Sequence, residues 1–560
     1  MSWGKTKLET YPGDTRVAAP RAAAKLRRIN RSTAGYFRWG ICALLIALFL
    51  RLIGDFYIPG QGFSYLVAFG SLNSGDFLPE LRRLNHYEFE GTRGYDGQYY
   101  AQIAMHPHLR DPVLANAVDG LAYRARRILF CILPYLLGGG DPARVLQLFA
   151  VQNFVAWLAI ALLLFRWLPP DCWGNVARWA AVVFSLGLCS SVGRALLDGP
   201  SLLLILIGIA AAETARPWWA AAIFGAAGLG KETNVLAAVS LPLPSCPDRA
   251  GQPAALLPAA ARVGLVCAPI ILWTLALHRW TAGGAIGVRN FGWPLAGYVG
   301  KWREIAQGFR QPGQDPDYLS SFLIQLALTA QMGFFLLRPR GRDPWWRVGA
   351  AYSLLAVLLG EAVWESYPGA ASRVLLPMTV AFNLLVPRAR RWWPLLILGN
   401  LSLWSSPDAL KRPGRDSAVV AGPRDLRMIE ATGAIVTVTF PDSDWYPAER
   451  SLLDFWRWSR GSASLSVYNP QSFPLTARLD FRVKSIDRRR LTLTAGSARL
   501  WDSEIGPPLL PVQRENVVLA PGVNVLTFRS DLPPAPPPGD ARAVGFSLRG
   551  FTVTITGRAP

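Results

Sequence analysis

The sequence predicts a polytopic α-helical membrane domain followed by an all-β domain. Of the 560 residues, 51% are hydrophobic and only 17% are charged, whereas soluble proteins carry about a quarter charged residues. The apolar residues occur in blocks up to residue 406, as in proteins that cross a bilayer many times. After residue 406 the blocks give way to prolines and short runs of strand-like alternation.

The first apolar block spans residues 39–56 and follows a basic, polar segment at residues 1–38. Because no cleavage-site pattern follows this block, we expect a signal anchor with the basic segment on the cytoplasmic side. Together with this block, the remaining apolar blocks predict eleven crossings. They lie at 147–167, 174–194, 199–213, 217–230, 233–245, 255–279, 319–337, 345–362, 372–387 and 391–406.

The loops between these blocks predict the orientation. Several short loops contain arginine, which favours the cytoplasmic side; they are "RWLPPDCWGNVARW", "ETARPWW", "SCPDRAGQP", "RPRGRDPWWR" and "PRARRWW". A large loop, residues 56–146, then lies outside, as does the C-terminal domain. This orientation requires that the short apolar run 127–139, which contains Pro134, is a re-entrant or half-buried helix rather than a span.

The net charge of +21 raises the question of nucleic acid. However, the basic residues cluster at the ends of apolar blocks, as in "KLRRINR" at 25–31 and "RARR" at 388–391. This placement fits the positive-inside rule, so we predict no nucleic-acid partner. The six cysteines contain no CxxC spacing, so the sequence predicts neither a disulfide framework nor a zinc site.

Residues 407–560 predict a β-sandwich or jelly-roll domain outside the membrane. Short alternating runs are separated by turn residues at regular spacing, which is typical of such domains. The runs are "GAIVTVTF", "ASLSVYN", "ARLDFRV", "RLTLTAG", "NVVLA", "NVLTFRS" and "GFSLRGFTVTITG". The proline-rich run at 532–540 is expected to be a loop within this domain.

The predicted orientation gathers ionisable residues at the outer face. Such residues are costly at membrane depth and are therefore rare without a partner or a use. Asp96, in "GTRGYDGQYYAQIAMHPHLRDP" (91–112), is the first candidate for a general base, with Asp55 and Asp76 as alternatives. Carboxylates and cations on one rim suggest an anionic lipid head group beside a base. The other candidates are Arg127, Asp198, Lys231, Glu232, Tyr367 and Arg373.

Five short motifs carry a resemblance to a known group. They are "GYDGQYYAQIAMHP", "YRARRILF", "LDGPSLLL", "GLGKETNVL" and "SRVLLP". Together they resemble bacterial multispanning proteins linked to cell-surface glycopolymer formation, which are similar to the GT-C superfamily of glycosyltransferases. The resemblance covers about residues 40–405. The tail, with "WYPAE", "FWRWS" and "YNP", is similar to β-sandwich domains attached to some of these proteins.

The resemblance implies an activity and a location. Such enzymes take a sugar from a polyprenyl-phosphate carrier on the outer side of the bacterial cytoplasmic membrane and pass it, usually with inversion, to an acceptor hydroxyl of a glycan, lipid or protein. A carboxylate of the first outer loop acts as base, which implies this role for Asp96. Residues of the same motif would contact the sugar or the lipid phosphate: Tyr95, Gln98, Tyr99 and Tyr100.

Several alternatives stay open. The pair Asp96–Gly97 is also a common turn dipeptide, and Asp55 is placed to pair with Arg51 across one helical turn. The group usually has an acidic residue where this chain has His106, and TDP where it has "LDGP". No metal ligand is assigned, although a divalent metal stays open. Other functions are a flippase for lipid-linked sugars, an O-antigen-type polymerase or ligase, and a non-catalytic scaffold.

Overall fold

The structure is a computed structural model that divides into a helical part and a C-terminal β part, as predicted. It describes residues 33–58, 61–84, 86–89, 92–242, 256–280, 290–310, 318–364, 370–411, 419–420, 436–447, 449–450, 455–469, 471–537 and 542–559.

The chain enters the helical part through α1 (Thr33–Gly54). The predicted first loop then folds into short elements before the long helix α7 (Pro142–Leu163). Its elements are β1 (Phe69–Gly70), α2 (Pro79–Arg83), β2 (Glu88–Phe89), α3 (Gly97–Met105), α4 (Leu114–Ala117), α5 (Leu121–Arg124) and α6 (Leu129–Gly138). Three 3₁₀ segments complete it at Ser64–Val67, Ser71–Asp76 and Ala125–Arg127.

The remaining helices follow in chain order. They are α8 (Trp173–Val183), α9 (Leu186–Gly193), α10 (Asp198–Glu213), α11 (Pro217–Gly230), α12 (Leu256–Trp280), α13 (Ala296–Arg310), α14 (Tyr318–Leu337), α15 (Pro344–Leu358), α16 (Glu361–Trp364), α17 (Ala370–Val374), α18 (Leu376–Leu385) and α19 (Trp393–Leu398). Longer 3₁₀ segments occupy Glu232–Ser240 and Leu401–Leu410.

Several apolar helices are able to cross a membrane, which is compatible with a multi-pass protein. Among the described residues, four helices are long and apolar enough: Gly35–Gly54, Pro142–Arg166, Leu257–Trp280 and Tyr318–Leu337. The helices α8 and α9 add a fifth span if the pair, bent by 41°, crosses as one unit. In Leu257–Trp280 only 11% of the most apolar window is buried inside the protein, as expected of a helix that faces lipid.

The prediction of eleven crossings is therefore not supported. Many predicted blocks form helices that are too short to qualify, such as α10 with 16 residues and α11 with 14. The reason is that charged and helix-breaking residues interrupt the apolar sequence; Asp198 begins α10, and Lys231 ends the helical conformation after α11. The run 127–139 forms the ten-residue helix α6 with Pro134 inside it, which matches the predicted short helix.

The first loop is a packed unit rather than an open loop. Its elements share a hydrophobic core with α6 and α7, to which Phe69, Tyr100, Phe130 and Phe149 contribute. A larger core joins α1 with most of the later helices. Because α3 lies within the first of these cores, the residues at its beginning are held at a fixed position against the helices.

The C-terminal part is a β-sandwich, in agreement with the sequence. Its strands are β3 (Val419–Val420), β4 (Thr437–Thr439), β5 (Glu449–Arg450), β6 (Phe455–Trp458), β7 (Ala463–Asn469), β8 (Leu475–Ser485), β9 (Arg489–Ala495), β10 (Ala498–Ile505), β11 (Leu510–Leu519), β12 (Gly522–Ser530) and β13 (Phe546–Arg558). One sheet has the order β10-β9-β12-β7-β4 and the other β11-β8-β13-β6-β5, with β3 beside β13.

The two sheets bury one common hydrophobic core. Alternate residues of β8 and β9 are buried, as the alternating sequence predicts. Trp445 is buried in this core, with its ring nearly perpendicular to that of Phe546. The strand β10 was not among the predicted runs because its sequence, ARLWDSEI, alternates only weakly.

Candidate active site

A cavity of about 660 Å³ lies where the first loop meets the later helices. Seven separate segments contribute to it: the start of α3, the end of α5 with the following 3₁₀ turn, the start of α10, the end of α11, the segment at 290–291, the end of α15 with α16, and α17. Its charged side chains are Asp96, Arg126, Arg127, Asp198, Lys231, Glu232 and Arg373. Four are cationic and three are acidic, which leaves one excess positive charge.

Asp96 reaches the cavity because Gly97 lets α3 begin against two backbone segments. A Cβ atom on Gly97 would lie 2.5 Å from the carbonyl oxygen of Arg194 and 2.6 Å from that of Val67. Only glycine fits such a close approach. The dipeptide Asp96–Gly97 thus begins a helix rather than an isolated loop turn.

Arg124 holds the Asp96 carboxylate in place. Its Nη2 atom donates to Oδ1 of Asp96 at 2.9 Å. The same guanidinium group forks onto Asp119, with Nε–Oδ1 at 2.9 Å and Nη2–Oδ2 at 2.8 Å. Arg124 is only 8% exposed. Three tyrosine rings have their centroids within 5.6 Å of its guanidinium carbon: Tyr99, Tyr100 and Tyr123.

The charges around Asp96 set its protonation state. Burial alone would raise the pKa of the Asp96 carboxyl, but the guanidinium of Arg124, with smaller contributions from Arg373 and Arg127, holds that pKa below its usual value. Its side chain keeps 36% of its surface accessible and lines the cavity. Asp96 is therefore an ionised hydrogen-bond acceptor at neutral pH that is open to a bound molecule.

Arg127 and Glu232 form a second group in the cavity. Arg127 Nε donates to Glu232 Oε2 at 3.0 Å, and Arg126 Nε lies 3.4 Å from Glu232 Oε1. The other nitrogens of Arg127 donate to the hydroxyls of Tyr100 at 2.7 Å and Tyr123 at 3.0 Å. Asn290 also donates to the Tyr123 hydroxyl, at 2.7 Å. This network orients two guanidinium groups side by side.

Asp198 forms a third group with two cations. Its Oδ1 atom accepts a hydrogen bond from Lys231 Nζ, and its Oδ2 atom accepts one from Arg373 Nη1 at 3.2 Å. Arg373 Nη2 donates to the Tyr95 hydroxyl at 2.9 Å. Since Tyr95 directly precedes Asp96, this contact links α17 to the beginning of α3. Buried charges persist only with such partners.

Apolar side chains form the remaining wall of the cavity. They come from the start of α10, the segment after residue 290 and the region of α15 to α17: Leu196, Leu197, Phe291, Leu359, Val363 and Val374. A lining that combines charged and apolar side chains suits a molecule with an anionic head and a hydrocarbon part.

The structure brings most of the predicted site residues together. Eight line the cavity: Tyr95, Asp96, Tyr100, Arg127, Asp198, Lys231, Glu232 and Arg373. The alternative bases do not. Asp55 pairs with Arg51 at the end of α1, as the ion-pair alternative predicts, and Asp76 is exposed at the end of its 3₁₀ segment. Tyr367 lies outside the described residues.

Gln98 and Tyr99 lie outside the cavity lining. Gln98 is fully buried, accepts from the Gly70 amide at 3.2 Å and donates to the Arg93 carbonyl at 2.6 Å. It therefore fixes the first loop, and its predicted contact with substrate is not supported. The Tyr99 hydroxyl accepts from Asn73 at 3.4 Å, and its ring covers Arg124.

Sequence reasoning missed Arg124, Arg126, Tyr123 and Asn290 as site residues. The run "YRARR" at 123–127 could have predicted the first three of these residues, because a tight turn presents several of its side chains to one side. Asn290 had no comparable pattern, because its place depends on how the chain returns after α12.

The described residues contain no group of three or more His, Cys, Asp or Glu side chains that is arranged to hold a metal ion. His106 lies 3.6 Å from both Glu80 and Asp111 at the far end of α3. The carboxylates of the cavity are each engaged by arginine or lysine rather than by one another.

No protein-family model and no curated protein matches this sequence. Among solved structures, the chain is similar to TmCBM61 in complex with beta-1,4-galactotriose, at 15% sequence identity over 21% of this chain and 81% of that one. The TM-score of this similarity is 0.13, so it carries no conclusion about fold or function. The fold and the site alone define the class, a protein with several helices able to cross a membrane, a β-sandwich, and a cavity lined by charged and apolar side chains.

Proposed function

We propose that this protein is a membrane glycosyltransferase of the GT-C type. It moves a sugar from a polyprenyl-phosphate carrier to an acceptor hydroxyl of a cell-surface glycan, lipid or protein. One observation supports this above all: an open carboxylate, Asp96, shares one cavity with four cations and an apolar wall. The sequence motifs that resemble the GT-C group supply most of these residues.

The cavity suits a lipid-linked sugar phosphate. A sugar ester of a polyprenyl phosphate is a phosphodiester with one negative charge, which matches the single excess positive charge of the lining. Arginine and lysine stabilise phosphate oxygens by charge-assisted hydrogen bonds. Arg126, Arg127, Lys231 and Arg373 line the cavity and would make this contact. The apolar wall would accept the first carbon atoms of the prenyl chain.

The reaction needs a base and a stabilised leaving group. The acceptor oxygen attacks the anomeric carbon while the bond from that carbon to the phosphate oxygen breaks, and the electron pair leaves on the phosphate. The acceptor hydroxyl becomes strongly acidic as its new bond forms, so an ionised carboxylate of low pKa suffices to take the proton. Asp96 is assigned this role, and the cations balance the charge that gathers on the phosphate.

The proposal includes a location. The protein would lie in a bacterial cytoplasmic membrane, with the cavity and the β-sandwich on the extracytoplasmic side. A flippase is the alternative, as is a polymerase or ligase of the O-antigen type. A transport path would need polar groups along the helices. Here the cavity takes its charges from helix ends, at Asp198 and Lys231, which favours the enzyme.

The test is sugar transfer by purified protein in nanodiscs. Radiolabelled polyprenyl-phosphate sugars are offered as a panel, with a membrane extract as acceptor. We expect transfer by the wild type and a loss of about 10²- to 10⁴-fold for Asp96→Asn. Asp55→Asn is the matched control and should keep activity, because Asp55 lies outside the cavity. Full activity of Asp96→Asn would show that Asp96 is not the base. If the wild type transferred sugar from none of the donors, the proposal that the protein is a glycosyltransferase would be wrong.

A further inference from the structure

Three arginine- and tryptophan-containing loops meet at the other end of the helices. They begin at Arg166 ("RWLPP"), Glu213 ("ETARPWW") and Arg338 ("RPRGRDPWWR"). Helix α10 starts at the cavity with Asp198 and ends at Glu213, and 16 residues of α-helix span about 24 Å. This rim is thus a separate place from the cavity described above.

Glu213 ties the three loops together. Its carboxylate accepts hydrogen bonds from the indole nitrogens of Trp167, at 3.0 Å, and Trp345, at 3.2 Å. Arg166 Nε donates to the same carboxylate at 3.3 Å. These contacts fix the three loops against each other.

A cavity lies on either side of this junction. One, of about 390 Å³, is lined by Arg166 and Arg216 together with apolar side chains that include Ile207 and Trp219. The other, of about 310 Å³, is lined by Arg342 and Arg347 together with Glu213. Together the two cavities are lined by four arginines and by one carboxylate, that of Glu213. The nearby Asp343 is engaged as the cap of α15, where it accepts from two backbone amides.

The guanidinium group of Arg347 lacks partners for two of its nitrogens. Nη2 donates to the Ser240 carbonyl at 3.1 Å. Nε and Nη1 are buried and have no hydrogen-bond acceptor in the part of the chain that the structure describes. A buried donor without an acceptor destabilises the folded protein, because it has lost its hydrogen bonds to water. Nε and Nη1 lie on different edges of the guanidinium group, so one anion reaches only one of them. A phosphate oxygen in this cavity would accept a charge-assisted hydrogen bond from that nitrogen.

We propose that this rim, formed by Arg166, Arg216, Arg342 and Arg347, binds the phosphate of an anionic membrane phospholipid. Basic pockets between membrane helices are suited to such head groups. A lipid is favoured over free phosphate because Ile207 and Trp219, which are 38% and 70% exposed, offer apolar surface beside Arg216 for an acyl chain. Exposed tryptophans at a helix end are typical of the membrane interface. This proposal does not depend on the proposed enzymatic activity.

The test is lipid binding by the full-length protein, measured by native mass spectrometry. Phosphatidylglycerol and phosphatidylcholine are titrated separately into the detergent-solubilised protein. We expect tighter binding of phosphatidylglycerol, weakened about tenfold or more in Arg342→Gln/Arg347→Gln, since each interfacial arginine contributes substantially to anionic-lipid binding. Arg340→Gln is the matched control: it removes the same charge from the same loop but lies outside the cavity lining, so it should leave the affinity unchanged.

Further arms separate the alternatives. Arg342 is exposed, so Arg342→Gln alone keeps the fold and should still weaken binding if the double variant expresses poorly. Equal losses in Arg340→Gln and Arg342→Gln would overturn the proposal, because they would indicate only a diffuse basic surface. Inorganic phosphate is titrated in parallel. If the binding of inorganic phosphate depends on Arg342 and the binding of phosphatidylglycerol does not, the ligand of this rim is free phosphate and not a lipid.

Discussion

Arg124 donates to Asp96 at 2.9 Å while the same guanidinium group is forked onto Asp119. The bidentate pair with Asp119 fixes the plane of the Arg124 guanidinium group. The third hydrogen bond, from Nη2 to Oδ1 of Asp96, then fixes the Asp96 carboxylate. Arg124 thus acts on the candidate base in two ways, through its charge and through its geometry. Two substitutions separate these effects.

The variant Arg124→Gln should change the pH dependence of transfer. Without the cation, the pKa of Asp96 rises, because burial continues to raise it while the opposing charge is lost. Asp96 acts as base only when ionised, so the acidic limb of kcat/KM should move to higher pH. In Arg124→Lys the charge stays and the limb should stay with it, while kcat falls about 10- to 100-fold because lysine cannot form the fork.

The measurement is a pH profile of both variants beside the wild type. A role that is only structural would lower the rate without moving the acidic limb in either variant. The same ion pair also contributes to stability. Since Asp96 has a lower pKa in the folded protein than in the unfolded chain, this contribution is present at neutral pH and is lost as the pH falls through the folded pKa.

The variant Asp198→Asn should destabilise the protein. The substitution leaves Lys231 and Arg373 buried without the carboxylate that now binds both. Removing one partner of a buried ion pair costs about 3–5 kcal/mol. We expect a clear fall in the thermal unfolding midpoint in detergent. Asp76→Asn removes an exposed carboxylate and should unfold like the wild type; equal midpoints for all three proteins would contradict the proposed importance of this cluster.

The variant Arg373→Gln should weaken donor binding. Arg373 is the cation that joins Asp198 to Tyr95 beside the candidate base. Hydrogen bonds to charged groups contribute about 1.5–3 kcal/mol, so KM for the lipid-linked donor should rise about 10- to 100-fold. The donor phosphate is charged before the reaction begins, so kcat should fall less than KM rises. Arg51→Gln, outside the cavity, is the control, and an unchanged KM in Arg373→Gln would exclude the phosphate contact.

The sequence predicted much of the site because its motifs mark the segments that converge. It did not show which side of each segment faces the cavity. Asp96 and Tyr100 are four residues apart and share one side of the first turn of α3, whereas Gln98 lies two residues from each and points away. The resemblance implies a contact for every polar residue of the motif, because a motif alone does not show which of its side chains reach the cavity.

The spans were harder to predict than the strands. In the β-sandwich, alternation of buried and exposed residues follows directly from the geometry of a strand, and β7 matches the predicted run "ASLSVYN". In the helical part, an apolar block does not reveal where a helix breaks. Asp198 precedes one apolar block and Lys231 follows another, and their side chains form an ion pair at the cavity. This ion pair joins two residues that are distant in sequence, so the sequence does not reveal it.

Gly97→Ala tests whether α3 must begin where it does. The added methyl group would lie 2.5 Å from the Arg194 carbonyl oxygen, which is backbone and cannot rotate away. Helix α3 must then shift, and Asp96 must shift with it. Overpacking of this kind costs about 1–3 kcal/mol, and a displaced base should lower kcat about 10²-fold.

The matched control for this variant is Gly75→Ala. Gly75 belongs to the same loop, but a Cβ atom there would have no heavy atom within 4 Å. We therefore expect Gly75→Ala to keep the unfolding midpoint and the transfer rate of the wild type. If Gly97→Ala also kept both, the close approach of α3 to the Arg194 carbonyl would not position Asp96, and the geometry argued for the base would be wrong.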